Sequence, residues 1–401
     1  MDGLYNLTNR LNSLVIFRNL LENPLIKKLN DFLWSLHYNM ERSDKINRYC
    51  DFVSELYSHG ENLTEYVFKL LSEDENSYVK KRGEGISAGI HETECLANEL
   101  AVLEEIGKLS SEMLIERIDF YDFLPKYQIS DMDYSQLYAD RLLKIKQIGF
   151  GMYSTHHIFV MGENGLIPVS YPDPIRLSQL SGYDEERREV IENTIAHING
   201  KPANNCLLYG DCGTGKSSTV KAIANEYRDS GLRLIEIKKK QLHLIPEIIE
   251  EIGRNPLKFI LFIDDLSFSE DDDDYAALKA ALEGSVSSNS PNMIIYATSN
   301  RRHLVKETFS SRQGDEIHFN DTIQEFMSLS ERFGLTVTFM KPDKKLYLDI
   351  VKNLAIQYGI HMADDELFRK AEAFALSRSG RSPRCAKQFI EHLKGLEEYE
   401  I

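Results

Sequence analysis

The chain has five cysteines, Cys50, Cys95, Cys206, Cys212 and Cys385, and no two of them form a CxxC pair. That spacing excludes a zinc ribbon or finger and offers no disulfide framework, so a reducing cytoplasm is the expected compartment. No apolar run approaches the ~20 residues that span a bilayer, so a membrane partner is not expected. The opening "MDGLYNLTNRLNSLVIF" lacks a basic segment followed by an apolar core and a small-residue cleavage site, so it is not read as a secretion signal. A basic excess is missing too. Net charge is -16, with 17 basic and 25 acidic residues in 1–150 and 30 and 38 in 151–401, an excess of -8 in each part. Non-specific nucleic-acid binding needs a cationic surface to neutralise phosphates, so nucleic acid is not the favoured partner.

What remains, 42% hydrophobic and 27% charged, is the composition of an ordered globular chain. Its 401 residues exceed one ordinary core, so two or three domains are expected. Residues 1–150 read as a mainly helical N-terminal domain. Within "CLANELAVLEEIGKLSSEMLIERI" (Cys95–Ile118), Leu96, Leu100, Leu103 and Ile106 fall at three- and four-residue spacing. "SQLYADRLLKIKQIGF" (Ser135–Phe150) behaves alike. Residues 151–175 read as a β-hairpin or linker, with β-rich runs on both sides of "GENG". His156 and His157 would point to opposite faces of a strand and have no third ligand in view, so they are read as structural or exposed.

From about Tyr183 the pattern changes. "CLLYG" (206–210), "RLIEI" (233–237), "FILFI" (259–263), "MIIYATS" (293–299) and "LTVTF" (335–339) are short apolar runs, with helical stretches between most of them. Strands buried on both faces and separated by helices imply a parallel α/β sheet. This α/β core is expected over 176–340. The rest, 341–401, reads as a small helical domain.

The strongest motif is "GDCGTGKS" (Gly210–Ser217), which fits G-x-x-x-x-G-K-[ST] and lies between an apolar run and a helical one. Glycines let backbone N–H groups turn toward a phosphate, and the following helix adds its positive end. Gly210, Asp211, Cys212, Gly213, Thr214, Gly215, Lys216, Ser217 and Ser218 are therefore the candidate nucleotide-binding residues. Lys216 is expected on the β- and γ-phosphates and the Ser217 hydroxyl on Mg²⁺. Cys212 needs only its backbone there.

"FILFIDDLSFSEDDDDYAALKAALEG" (Phe259–Gly284) carries six aspartates in eleven residues. Asp264 ends an apolar strand, where an acid holds Mg²⁺. Asp265 is either a base that polarises water or a plain strand-end residue. Asp271 to Asp274 read as the start of a helix with Tyr275, Leu278 and Leu282 on one face and Gly284 as its stop. In "MIIYATSN", Thr298 or Asn300 can reach a γ-phosphate or a water, and Asn300 is preferred. In "SERFGLTVTF", Arg332 is either a surface arginine or a finger offered to a neighbouring subunit. No guanine-specifying NKxD occurs, which weighs against a GTPase.

In this order the motifs resemble those of the AAA+ ATPase superfamily, over roughly residues 176–401. Walker A is 210–217, Walker B 260–265, sensor 1 Asn300 and the arginine finger Arg332. The resemblance implies a sheet of order 5-1-4-3-2, a C-terminal helical lid and ATP with Mg²⁺ as cofactors. It also implies a homo-oligomer joined through trans arginine fingers. The lid segment "SGRSPRCAKQFI" has Ser382 as N-cap and Pro383 at N1, which puts Arg384 in the first turn as sensor 2, with Arg381 as competitor. The segment before Walker A is similar to the adenine-contacting region, with Leu180, Gly182 and Tyr183 as candidates and a plain loop entering a helix as the other reading. "ERFGLTV" and the Asp-Asp ending resemble the DnaA- and DnaC-like initiator and loader group, and the whole motif set is most similar to an uncharacterised bacterial AAA+ family. Two departures stand out. Walker B usually ends Asp-Glu, and the place of a peptide-threading pore loop reads "IEIKKKQLHLIPEIIEEIG". Lys238 to Lys240 there read as a solvated strand end, with nucleic acid as the other reading, and the basic run 301–312 as either a nucleic-acid contact or a subunit interface. The expected function is ATP hydrolysis at subunit interfaces to remodel a partner chosen by residues 1–150. The alternative is a slow ATP-gated switch or loader on DNA or protein.

Overall fold

A computed structural model describes residues 3–38, 40–120, 122–266, 278, 282, 292–300, 331–378 and 380–397. The acidic run Asp271 to Asp274, Tyr275, Gly284 and the basic run 301–312 lie outside the described residues. The chain divides into two compact units, Met1–Thr155 with Arg254–Pro256, and His156–Gly253 with Leu257–Ile401.

The first unit is helical: α1 (Gly3–Asn12), α2 (Pro24–His37), α3 (Arg42–Tyr57), α4 (Leu63–Glu73), α5 (Ser77–Gly83), α6 (Ile90–Gly107), α7 (Ser111–Ile118), α8 (Tyr134–Leu143), α9 (Ile145–Ile148) and α10 (Met152–Thr155). The stripe Leu96, Leu100, Leu103 and Ile106 of α6 is buried. Asn23, Asn62, Asn76, Ser110 and Asp133 cap helix starts through their side chains. Each cap gives an acceptor to an amide that has no partner inside the helix. The last residue of α6, Gly107, leaves room for Tyr134, because a Cβ there would lie 2.3 Å from the Tyr134 hydroxyl. That hydroxyl donates to the Thr64 carbonyl, 2.6 Å, inside the core.

The second unit holds β1 (Ile158–Gly162), β2 (Gly165–Pro168), α11 (Asp184–Ile198), β3 (Cys206–Gly210), α12 (Lys216–Glu226), β4 (Leu232–Ile237), α13 (Ile245–Ile252), β5 (Lys258–Ile263), β6 (Met293–Asn300), β7 (Leu335–Phe339), α14 (Lys344–Tyr358), α15 (Asp364–Ser377) and α16 (Pro383–Glu397). The sheet runs β2-β1-β4-β5-β6-β3-β7. Its five core strands are parallel and, numbered among themselves, run 5-1-4-3-2 from β7 to β4. The expected α/β class and the order of these strands hold.

The difference lies at one edge. The hairpin β1–β2 extends the sheet, with β1 parallel to β4. Met152–Thr155 is helical rather than extended, and the turn is the two residues between the paired Gly162 and Gly165. His157 precedes the strand, with its Nε2 2.8 Å from Asn225 Oδ1 on α12. No group of three or more His, Cys, Asp or Glu among the described residues is placed to hold a metal. The last three helices bury Tyr347, Ile350, Val351, Leu367, Ala371, Ala386, Phe389 and Ile390 in one core with the sheet.

Candidate nucleotide site

The site begins where β3 ends. Gly210 (φ 139°) must be glycine, because a Cβ would come within 2.1 Å of the Phe339 carbonyl oxygen on β7. The next amide, Asp211, donates to that oxygen at 3.1 Å. Gly213 (φ 78°) and Gly215 (φ 96°) take the left-handed backbone that turns neighbouring amides into a concave loop. The buried Thr214 hydroxyl donates to the Asp211 carbonyl, 2.9 Å. α12 then starts at Lys216, and the first-turn amides of Lys216, Ser217 and Ser218 have no acceptor within the helix. Loop amides and the positive helix end form a donor set for phosphate oxygens.

Lys216 is buried and donates to the carbonyls of Gly210 (3.1 Å) and Asp211 (2.7 Å) and to Asn300 Oδ1 (3.0 Å). Burial pushes its pKa down, while Cys212, Asp211, Asp265 and Asp264 pull it up. The strand registers explain the company it keeps. Gly210 pairs with Asn300, so the end of β6 lies beside the start of the loop. Ile263 pairs with Ala297, so Thr298 lies level with Asp264.

Around the two aspartates the contacts are short. Asp264 Oδ1 accepts from the Ser217 hydroxyl (2.5 Å) and from the Thr298 hydroxyl (2.6 Å). Asp265 N donates to Thr298 Oγ1 (2.9 Å), and Asp265 Oδ1 accepts from Asn300 Nδ2 (2.6 Å). Lys216, Asn300, Asp265, Thr298, Asp264 and Ser217 therefore form one connected set.

The set fits a divalent cation and a polyphosphate. An octahedral Mg²⁺ takes oxygens at about 2.1 Å, which places neighbouring ligands about 3 Å apart. The Ser217 and Asp264 oxygens need part only slightly to match that spacing. One carboxylate and one hydroxyl, completed by phosphate and water, is an ordinary donor set for this ion.

The remaining expected residues divide. Arg384 lies against the loop, with its amide on the Gly213 carbonyl (3.1 Å) and its Nη1 3.8 Å from the exposed Cys212 sulfur. Ser382 caps its helix, receiving the Cys385 amide at 3.1 Å. Arg381 instead grips Glu372 through two bonds of 2.9 and 2.7 Å within the lid. Tyr183, a candidate of the adenine-contacting region, turns its side chain into the core. It is buried, packs on Phe339 and donates its hydroxyl to the Met340 carbonyl, 2.6 Å. Gly182 beside it packs against Ile350 and Leu346 of α14. Arg332 precedes β7, whose first residue pairs with Cys206 and whose last pairs with Gly210. Four strand steps, roughly 13 Å, thus separate its end of the sheet from the loop. Two contacts were not foreseen. Thr298 binds both aspartates, and Asp211 Oδ2 accepts the Lys341 amide (2.9 Å) at the entry to the lid. The only sequence signal for either is a polar residue at the end of an apolar run.

A family model described as "Protein of unknown function (DUF815)" matches residues 154–397. The 26S proteasome regulatory subunit 6B homolog of Saccharomyces cerevisiae is 32% identical over 124 residues, 28% of each chain. The 26S proteasome regulatory subunit 4 homolog of Dictyostelium discoideum is 32% identical over 108 residues, 24% of each chain. The match thus spans 28% or less of the length of these curated relatives. Among solved structures, a FIGL-1 AAA domain in complex with ADP aligns with 58% of this chain and 76% of its own, at 14% identity and a TM-score of 0.39. A Thermotoga maritima RuvB variant aligns with 57% and 66%, at 14% identity and a TM-score of 0.37. With more than half of its length matched by the family model, the chain belongs to the family described as "Protein of unknown function (DUF815)", and its α/β core is of the AAA+ ATPase superfamily.

Proposed function

We propose that the protein binds ATP with Mg²⁺ and hydrolyses it at interfaces between copies of itself, to remodel a partner selected by residues 1–150. The observation that carries this reading is the connected set from Lys216 through Asn300 and Asp265 to Asp264 and Ser217. In it the loop amides and Lys216 take the phosphates, and Ser217 and Asp264 take the ion. Asp265 polarises the attacking water, and Asn300 orients Asp265 toward the γ-phosphate. Arg384 approaches the phosphates from the lid. Arg332, at the far end of β7 from its own loop, serves a neighbouring copy. Residues 1–150, 176–340 and 341–401 act as partner-binding unit, ATPase core and lid, and the cytoplasm is the compartment that suits them.

A second reading, a slow ATP-gated switch or loader, is favoured by Asp265 itself. It is one methylene shorter than the usual glutamate, and its Oδ1 is already engaged by Asn300. Turnover measured with and without single- and double-stranded DNA separates the two. For the leading reading, Lys216→Ala loses nucleotide binding, whereas Arg332→Ala keeps binding and loses turnover. Unchanged turnover in Arg332→Ala would remove the finger in trans.

A further inference from the structure

We propose that Thr298 is a positioning residue that sets the metal-binding and water-polarising carboxylates together, and so governs how the site uses Mg²⁺. The proposal rests on the ATPase reading above. Thr298 lies on β6, 2% exposed, level with the end of β5. Its hydroxyl has one proton, which goes to Asp264 Oδ1 at 2.6 Å. A lone pair of the same oxygen accepts the Asp265 amide at 2.9 Å. One atom therefore orients the Asp264 carboxylate and anchors the backbone of the residue after it.

The backbone is sewn down on both sides. The Leu266 amide donates to the Thr298 carbonyl (2.7 Å), and the Ser299 hydroxyl donates to the Leu266 carbonyl (2.7 Å). Between these ties Asp265 holds φ 54°, a positive value that is uncommon for a residue other than glycine. In that conformation its carboxylate meets Asn300. Thr298 and Asn300 are two residues apart on one strand, so they share a face and act on the two aspartates from the same side.

Asp264 Oδ1 also receives the Ser217 hydroxyl. Ser217 and Asp264 would hold a cation through their oxygens, and the Ser217 hydroxyl, keeping its proton, would then no longer donate to Asp264. The Thr298 hydroxyl is then the side-chain donor that keeps Asp264 in place. This is a supporting contact of the kind whose loss costs about 10–100-fold in metal affinity or activity.

The test uses the full-length protein and its Thr298→Val and Thr298→Ser variants. Valine keeps the shape and loses the hydroxyl, while serine keeps the hydroxyl. Nucleotide affinity is measured in EDTA and in rising Mg²⁺, and phosphate release is followed over the same Mg²⁺ series. Thr298→Val is expected to leave EDTA affinity unchanged and to raise the half-saturating Mg²⁺ by at least about tenfold. Thr298→Ser is expected to regain most of this. On an Asp264→Asn background, Thr298→Val is expected to add nothing further. That cycle is scored on soluble protein by the Mg²⁺ dependence of binding alone, so it stands even where turnover is lost. A wild-type Mg²⁺ response that Thr298→Val leaves unchanged, or a serine variant as impaired as valine, would overturn the role of Thr298 alone. A wild-type protein with no Mg²⁺-dependent binding or turnover would overturn the ATPase reading and this proposal with it.

Discussion

Asp265 and its neighbour show how one register decides chemistry. A left-handed backbone costs an L-residue about 1 kcal/mol, and here Thr298 and Asn300 supply hydrogen bonds that offset it. Asp264, one residue earlier, meets Ser217 and the same threonine instead. Two adjacent aspartates thus face different partners because β6 presents Thr298 and Asn300 in alternate rungs of one face. Elsewhere a single buried base has a consequence for stability. His197, at the end of α11, is buried, with Nε2 3.2 Å from the Asn292 carbonyl. Burial, with a contribution from Lys258, pushes its pKa down to about 4. The folded protein therefore keeps it neutral, whereas the unfolded chain protonates it below about pH 6.5. Its contribution is complete above pH 6.5 and declines by about 3 kcal/mol as pH falls to about 4. Chemical denaturation across that range is expected to show this loss in the wild type and a shallower slope in His197→Gln. Equal slopes would contradict it.

At the scale of elements, buried carboxylates also serve structure. Glu99 of α6 is buried and accepts the amides of Val15, Ile16 and Phe17, at 2.7 to 3.1 Å, in the turn after α1. Glu99→Ala leaves these amides without that acceptor and is expected to cost roughly 3 kcal/mol. The single tryptophan, Trp34, lies in the same unit, so urea melts followed by its fluorescence read the effect directly. A shift under about 1 kcal/mol would show that other groups satisfy the turn. The elements also show what the sequence discloses. β3, β5 and β6 fall where apolar runs mark strands buried on both faces, and the loop at Gly210–Ser217 is readable because its glycines and lysine are close together in sequence. The pairing of β1 with β4 was not readable, since a two-residue turn and a mixed strand specify a hairpin but not its neighbour. Nor were the Thr298 clamp and the Asp211–Lys341 contact, each of which joins residues over 30 positions apart through strand register. The packing of Tyr183 is not legible either, because an aromatic beside glycine fits a base contact and a core contact equally until Phe339 is placed against it.

For the whole molecule, the acidic charge is spread evenly, and among the described residues no helix is long and apolar enough to cross a membrane. The family match covers the second unit almost entirely, and the candidate nucleotide site lies within the matched residues. The helical first unit lies outside most of that match. The proposed hydrolysis needs Asp265 to act on water beside a phosphate held by Lys216. The most direct measurement is phosphate release from ATP by the wild type and Asp265→Asn, with nucleotide affinity measured on the same samples. Mg²⁺-dependent release is expected from the wild type, and in Asp265→Asn an affinity within a few-fold and release lower by about 100-fold or more. Equal release by the two proteins, with affinity intact, would contradict it.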